Sequence, residues 1–598
     1  MHSASVGSLL FKDLAEYYDK LERVSSRLEM IKILGEMLKE LDKNEIADVI
    51  YMTQGVLAPP FESVEFGIAE KYMEEAIAIA SGRSKEAVHG YYKNKGDLGI
   101  VAEELMASTK LKRMGQRQYT SREVYDVMRK IAGTSGEGSK STKIKELAGM
   151  LASTTPLGAR YIARYPLGQL RLGLGDATIL EALSVMATGT RDVKDRLEAA
   201  YNMCSDMGLV ASTLKEHGME AIDKFKVTLF KPIRPALAER LPTSEEIIKR
   251  MGGKCAVEQK YDGFRCQIHK DGKKVRIYSR RLEETTDMLP DVVEAVRSEV
   301  SAERAIFEGE ALAFNESTNE FFPFQETIQR KRKHGVADKA LEMPLHLFAF
   351  DVMYLDGKDY LGKPYKERRE ALEGMLKNPS RIRPSTMILT DSPKKLDEFF
   401  EESIENGLEG IVAKDLAAPY IAGARKFSWI KLKRSYRGEL SDTLDLVVVG
   451  YYLGRGSRAE FKFGGLLCAT YNEKNDTFET VSRIGSGFTE EQMKELRESL
   501  NKIRVAKKPV RVDAVIEPDF WVDLKYVVTV KADEITRSPT HTCGRKKLKD
   551  GTEVGYALRF PRLVGPEAIR SDKSPEDATT TKEIEELYSQ QKKVGLKE

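Results

Sequence analysis

Lys260 stands in the stretch Glu258-Gln259-Lys260-Tyr261-Asp262-Gly263-Phe264-Arg265, directly after the apolar run Cys255-Ala256-Val257. The pattern predicts a strand that ends at the lysine, a turn tightened by Gly263, and a second strand opened by Arg265. A lysine so placed can act as a covalent nucleophile once burial, a neighbouring cation or a metal ion favours its neutral form. The bland alternative is a surface hairpin with a charged turn, because Lys-x-Asp-Gly alone is a common string.

Other charged residues share its setting. Strand alternation puts Glu258 and Lys260 on one face, and likewise Glu308 and Glu310 in Ala305-Ile306-Phe307-Glu308-Gly309-Glu310-Ala311-Leu312. Carboxylates on so apolar a strand are costly unless paired or metal-bound; the alternative is a half-exposed strand edge. Gly407-Leu408-Glu409-Gly410-Ile411-Val412-Ala413-Lys414 repeats the theme of one carboxylate between glycines, an apolar strand, then a lysine. In Ser428-Trp429-Ile430-Lys431-Leu432-Lys433 the two lysines share one face and repel unless an anion lies between them, as a phosphate would. Tyr420 to Gly438 holds six Lys or Arg and no acid, which also suits a solvated basic edge strand.

The elements that must position these residues fall into three textures. Residues 1–222 read as an all-α domain. Ser26-Arg27-Leu28-Glu29 and Thr120 to Glu123 have capping-box spacing, Leu28, Ile31, Leu34, Leu38 and Leu41 recur at helical intervals, and Asp176 is the expected N-cap of the helix that follows. The glycine-rich Gly133 to Ser141 lacks the lysine position and preceding strand of a phosphate loop, and reads as an inter-helix loop. Two prolines at Pro232 and Pro235 introduce a mixed α/β domain, 223–438, with helices around Leu289–Val300 and Lys366–Leu376. Residues 439–598 read as a small OB-like β-barrel of short strands (Leu446–Tyr452, Gly464–Tyr471, Val510–Ile516, Tyr526–Ala532), interrupted by a helix near Glu490–Lys502 and ending in a charged helical or frayed tail.

Composition narrows the classes. With 598 residues, 41% hydrophobic and 32% charged, the chain can bury several cores. A formal net charge of +3 leaves nucleic-acid binding to local basic faces. Five scattered cysteines form no CxxC pair, so neither a zinc site nor a disulfide framework is indicated, and a reducing cytoplasm is the expected setting. No apolar run is long enough to span a bilayer, and the start lacks the pattern of a signal peptide.

Taken in order, the segments resemble the motifs of the covalent nucleotidyltransferase superfamily, and more closely those of ATP-dependent DNA ligases of the archaeal and eukaryotic replicative type. They are Lys260 to Arg265, Ser279-Arg280-Arg281, Glu308-Gly309-Glu310, Phe350-Asp351, Glu409 to Lys414, and Trp429 to Lys433. Leu558-Arg559-Phe560-Pro561-Arg562, with Arg570-Ser571-Asp572-Lys573 and Pro575 to Thr580, resembles the family's C-terminal motif, and Leu167 to Ala177 its DNA-binding domain.

The resemblance implies a three-step reaction on nicked duplex DNA, serving replication, repair and recombination. Lys260 takes AMP from ATP, AMP moves to the 5′-phosphate at the nick, and the 3′-hydroxyl displaces it. By the same resemblance, Glu258 accepts from the adenine amine and Phe350 stacks on the base. Arg265 and Arg280 hold ribose and phosphate, Arg425 and Lys431 contact the triphosphate, and Lys433 is a second phosphate neighbour. Glu310 meets the ribose or a metal-bound water, and Glu409 is a carboxylate of the magnesium site, with manganese as a substitute. Arg164 and Arg171 meet the DNA backbone, and Lys433 to Leu440 is a hinge for the C-terminal domain. A monomer is expected. A sliding clamp is a candidate partner through Gln116-Arg117-Gln118-Tyr119-Thr120, although this stretch lacks the expected pair of aromatics. RNA-capping enzymes and RNA ligases share the lysine motif, but not the long helical start or the Arg559-Phe560-Pro561-Arg562 segment. The competing reading of another kind is a non-catalytic DNA-binding scaffold.

Overall fold

A computed structural model describes residues 8–109, 118–315, 320–321, 343–378, 380–406, 408–433, 443–453, 463–532, 534–547, 551, 553–565, 569–570 and 572–594. From Phe11–Arg23 to Met207–Ile222 the described elements are helical and share one apolar core, including Leu34, Val101, Tyr161 and Leu183. Thr120 and Glu123 form the expected capping box. Ser26 does not: it sits at the N-cap position of Arg27–Glu40 without a side-chain bond. Leu28 is 62% exposed, off the buried face of Met30, Ile31, Leu34 and Leu38. Gly175 rather than Asp176 is the N-cap of Asp176–Thr188. The Asp176 carboxylate is drawn off by Arg234 at 2.9 Å and the Tyr201 hydroxyl at 2.8 Å, which ties this domain to the proline segment.

Arg164 and Arg171, expected to meet DNA, are instead turned inward. Asp97 caps Leu98–Ser108 from inside the domain and, being buried, needs cations. Arg164 supplies one at 2.6 Å and Arg171 another at 3.0 Å, and Arg164 also pairs with Glu22 at 2.8 Å.

The central domain holds two sheets. One runs in the order Leu237–Arg240, Arg425–Lys433, Gly410–Lys414, Cys255–Lys260, Met387–Thr390. The other is built on Lys274–Ser279, Phe264–Asp271, Arg304–Asn315 and Leu345–Leu355. Alternation assigns the faces. Cys255, Val257, Ile411, Ala413, Ile430 and Leu432 pack with Ile247, Leu396 and Phe400 of the helices Ser244–Arg250 and Pro393–Glu405. Cys266, Ile268, Ala305, Phe307 and Leu347 pack with Val292 and Val296 of Pro290–Glu299. The opposite parity on both sheets is therefore left to face a shared cleft.

The C-terminal third is strand-rich. Thr443–Tyr452 pairs with Gly465–Asn472, which pairs with Thr477–Ile484, a strand the sequence reading did not single out. Between the latter and Val512–Asp513 comes Glu490–Lys502, the expected helix. Among the described residues the pairings do not close the sheet into a ring. The tail is a helix, Thr581–Val594. This domain also touches the helical one: Val510 packs against its core, and Arg171 donates to the Lys502 carbonyl at 3.4 Å. Of the expected hinge, Lys433 to Leu440, residues 434–440 lie outside the described residues, as do Gln116 and Arg117.

Candidate active site

The cleft has a volume of about 1090 Å³ and gathers Glu258, Lys260, Arg265, Arg280, Glu310, Phe350, Glu409, Arg425 and Lys431 on its wall. These nine, with Lys433, which the sequence also singled out, thus share one cavity, together with Lys414.

Strand pairing explains the grouping. Gly410 lies opposite both Lys260 and Lys433, so the adjacent Glu409 reaches both ammonium groups and forms an ion pair with each. Despite its burial, these two lysines hold the Glu409 carboxyl well below the ordinary range. Two glycines permit the close approach. A Cβ on Gly263 would lie 2.5 Å from the Ala311 carbonyl, and one on Gly410, at φ +149°, would collide with the Leu432 carbonyl.

The pairing Glu308↔Asp351 and Gly309↔Ala349 leaves Phe350 as an extra residue. This bulge re-aims its ring into the cleft, edge-on to Trp429 at 6.0 Å. Arg265 is bound to Glu308 at 2.8 Å and to the Ala236 carbonyl at 2.8 Å, while Tyr420 donates to the same Glu308 oxygen at 2.8 Å. Among the described residues no cation is bonded to Glu310 in this way. Burial outweighs Lys260 and Arg265 and pushes its carboxyl up to about 7.

The anion inferred between Lys431 and Lys433 takes an unforeseen form. Lys433 meets Glu409, and Lys431 meets Glu583 of the C-terminal helix at 3.3 Å. Glu583 also holds Arg425 at 3.2 Å, while Arg280 is held by Asp577 at 3.0 Å. Burial, with Arg425, Lys433 and Lys573 nearby, pulls Lys431 down to about 7 against the opposing pull of Glu583. Arg570, Lys573 and Asp445 complete this wall, Lys573 forming an ion pair with Asp445. The sequence reading gave no role to Glu583, Asp577, Asp445 or Lys414. Lys414 carried one signal, a lysine ending an apolar strand, and Asp577 another, its place in the Pro575 to Thr580 segment.

A strand-end lysine against a carboxylate, an aromatic at one end and cations at the other can bind a nucleoside triphosphate and take up its nucleotidyl group. Residues 10–184 match the family model described as DNA ligase N terminus, residues 235–433 that described as ATP dependent DNA ligase domain, and residues 459–573 that described as ATP dependent DNA ligase C terminal region. A "Probable DNA ligase" of Dictyoglomus turgidum is 48% identical over 590 residues, 99% of each chain. A "DNA ligase" of Sulfurisphaera tokodaii is 44% identical over 588 residues, 97% of each, and one of Saccharolobus solfataricus 42% over 593, 98% of each. The chain belongs to the ATP-dependent DNA ligase family, whose function is to seal nicks through an adenylate intermediate.

Proposed function

We propose that Lys260 is the residue that carries AMP. Its Nζ attacks the α-phosphorus of ATP, the bond to the bridging oxygen breaks, and pyrophosphate leaves. The AMP then passes to the 5′-phosphate of the nick, and the 3′-hydroxyl attacks that phosphorus and expels AMP. The observation that carries this reading is the convergence of Lys260, Glu409 and Lys433 at one point of the cleft wall. Glu258 and Phe350 would bind adenine, Arg265 the ribose side, and Arg280, Arg425 and Lys431 the phosphates once Asp577 and Glu583 withdraw.

Glu310 and Glu409 suit magnesium, with manganese substituting. A carboxyl pushed up to about 7 by burial is short of positive charge, as Glu310 is. Among the described residues no group of three or more His, Cys, Asp or Glu could hold an ion by itself, so phosphate oxygens would complete the ligand set. Bound there, the ion would offset phosphate charge and draw Glu409 from Lys260.

The division into 1–222 for DNA, 223–438 for adenylation and 439–598 for closure, a monomeric state and a cytoplasmic setting belong to the same proposal. Among the described residues no helix is long and apolar enough to cross a membrane. A clamp contact through residues 116–120 is the weakest part, because Thr120 is committed to capping a helix. The test is Lys260→Ala incubated with ATP labelled at the α-phosphate. The variant should bind nicked duplex like the parent and form no covalent adduct, whereas nick sealing by it would refute the assignment.

A further inference from the structure

Lys414 is 1% exposed, and its burial disfavours the charged ammonium unless partners compensate. Its Nζ donates to the Phe350 carbonyl at 2.8 Å and pairs with Glu258 Oε2 at 3.0 Å. The rings of Trp429 at 4.3 Å, Tyr365 at 4.7 Å and Phe350 at 5.0 Å surround it, offering their electron-rich faces to the cation. Strand register explains the pair: Val412 lies opposite Glu258, so Lys414, two residues on, shares the cleft-facing side with it. The other oxygen of Glu258 accepts from the Tyr365 hydroxyl, and Arg369 stands further off at 3.5 Å.

We propose that Lys414 is a positioning residue that determines base specificity, holding the Glu258 carboxylate in place as the acceptor so that the site takes a purine with an amino group at position 6 and rejects one with an oxo group there. The inference rests on the reading of Glu258 as the adenine contact. An ionised carboxylate only accepts hydrogen bonds. It accepts from the exocyclic amine of adenine and repels the O6 of guanine, itself an acceptor. Among the described residues Lys414 is the cation nearest to Glu258, at 3.0 Å against 3.5 Å for Arg369, and it fixes where the accepting oxygens lie. Two of the three Nζ donors are committed to Glu258 and the Phe350 carbonyl, so Lys414 acts through the carboxylate.

The test uses full-length Lys414→Met, which keeps the apolar stem without the charge, and Lys414→Arg, which keeps the charge. Each is incubated with magnesium and α-labelled ATP or GTP, and kcat and KM for covalent adduct formation are measured. Lys414→Met should lower the ATP-over-GTP ratio of kcat/KM by about tenfold or more, chiefly through KM. Lys414→Arg should restore most of the ratio. Thermal unfolding checks the fold, and Lys414→Gln replaces the methionine variant if that one does not fold. An unchanged ratio in the uncharged variant overturns the proposal. Glu258→Gln tests the premise separately, because an amide can donate to an oxo group. If Glu258→Gln alone loses discrimination, the role of Lys414 fails and the base contact stands. If neither does, the base contact itself fails.

Discussion

The two ends of the cleft are held together in different ways. At the base end the ion pairs join residues of the central domain and are largely buried: Glu258–Lys414 at 3.0 Å, Asp351–Arg368 at 2.7 Å, Arg265–Glu308 at 2.8 Å. At the phosphate end they cross between domains: Arg280–Asp577 at 3.0 Å, Lys431–Glu583 at 3.3 Å, Arg425–Glu473 at 3.2 Å, Lys582–Glu239 at 3.2 Å. On the proposed assignment, the base site is thus preorganised by the fold that builds the sheets, whereas the phosphate site has its cations occupied by the chain's own carboxylates, which a triphosphate would have to replace.

Removing one charge at each end separates these two kinds of contact. Arg368 and Asp351 are both fully buried, and Arg368 also donates to the carbonyls of Lys363 and Ala418. Arg368→Met leaves Asp351 with Lys414 at 3.9 Å as its remaining ion-pair partner in this group. It should destabilise the central domain by about 3–5 kcal/mol, read as a lower urea midpoint. A loss under 1 kcal/mol by the scale of exposed pairs would mean that the base end is no better built than a surface. Glu583→Gln should act on the ligand. Thr580 and Glu583 exchange reciprocal hydrogen bonds at the start of the last helix, a role that glutamine keeps. Its loss of charge frees Lys431 and leaves Arg425 with Glu473 at 3.2 Å, so a non-hydrolysable ATP analogue should bind about tenfold more tightly. Unchanged affinity would show that Glu583 does not compete with phosphate.

What was legible in sequence at both ends was alternation along the strands of the central sheets. Alternation along short strands put Glu258 with Lys260 and Lys431 with Lys433, and the packed helices keep those faces. Nothing in Phe348-Ala349-Phe350-Asp351 announces a bulge, because an extra residue shows only against the partner strand. Glu583 could not be found by periodicity either. It lies 152 positions from Lys431 in a segment that read as a charged tail, and only interdomain docking brings it in. Arg164 was misread for a related reason. A basic residue on a helix announces a charge but not its direction, and here buried Asp97 turns it inward. Ser26 and Thr120 had the same capping spacing, and only Thr120 uses it.

The smallest expected effect concerns pH, and it acts at the phosphate end alone. Lys431 is pulled from its ordinary 10.5 to about 7 while buried against the C-terminal domain. Released to solvent, it would regain the ordinary value. Between about 7 and about 10.5 the open form then binds more protons than the closed one, so raising the pH favours closure. Below about 7 the lysine is charged in both forms, and the full penalty of burying it opposes closure. Glu583, held well below the ordinary carboxylate range by Lys431 and Arg425 despite its burial, stays ionised throughout and adds no slope. X-ray scattering of the unliganded protein should therefore show a radius of gyration that shrinks as pH rises through this window. Lys431→Arg, whose side chain keeps its proton, should give a flat curve. The same shrinkage in that variant would place the titrating group elsewhere.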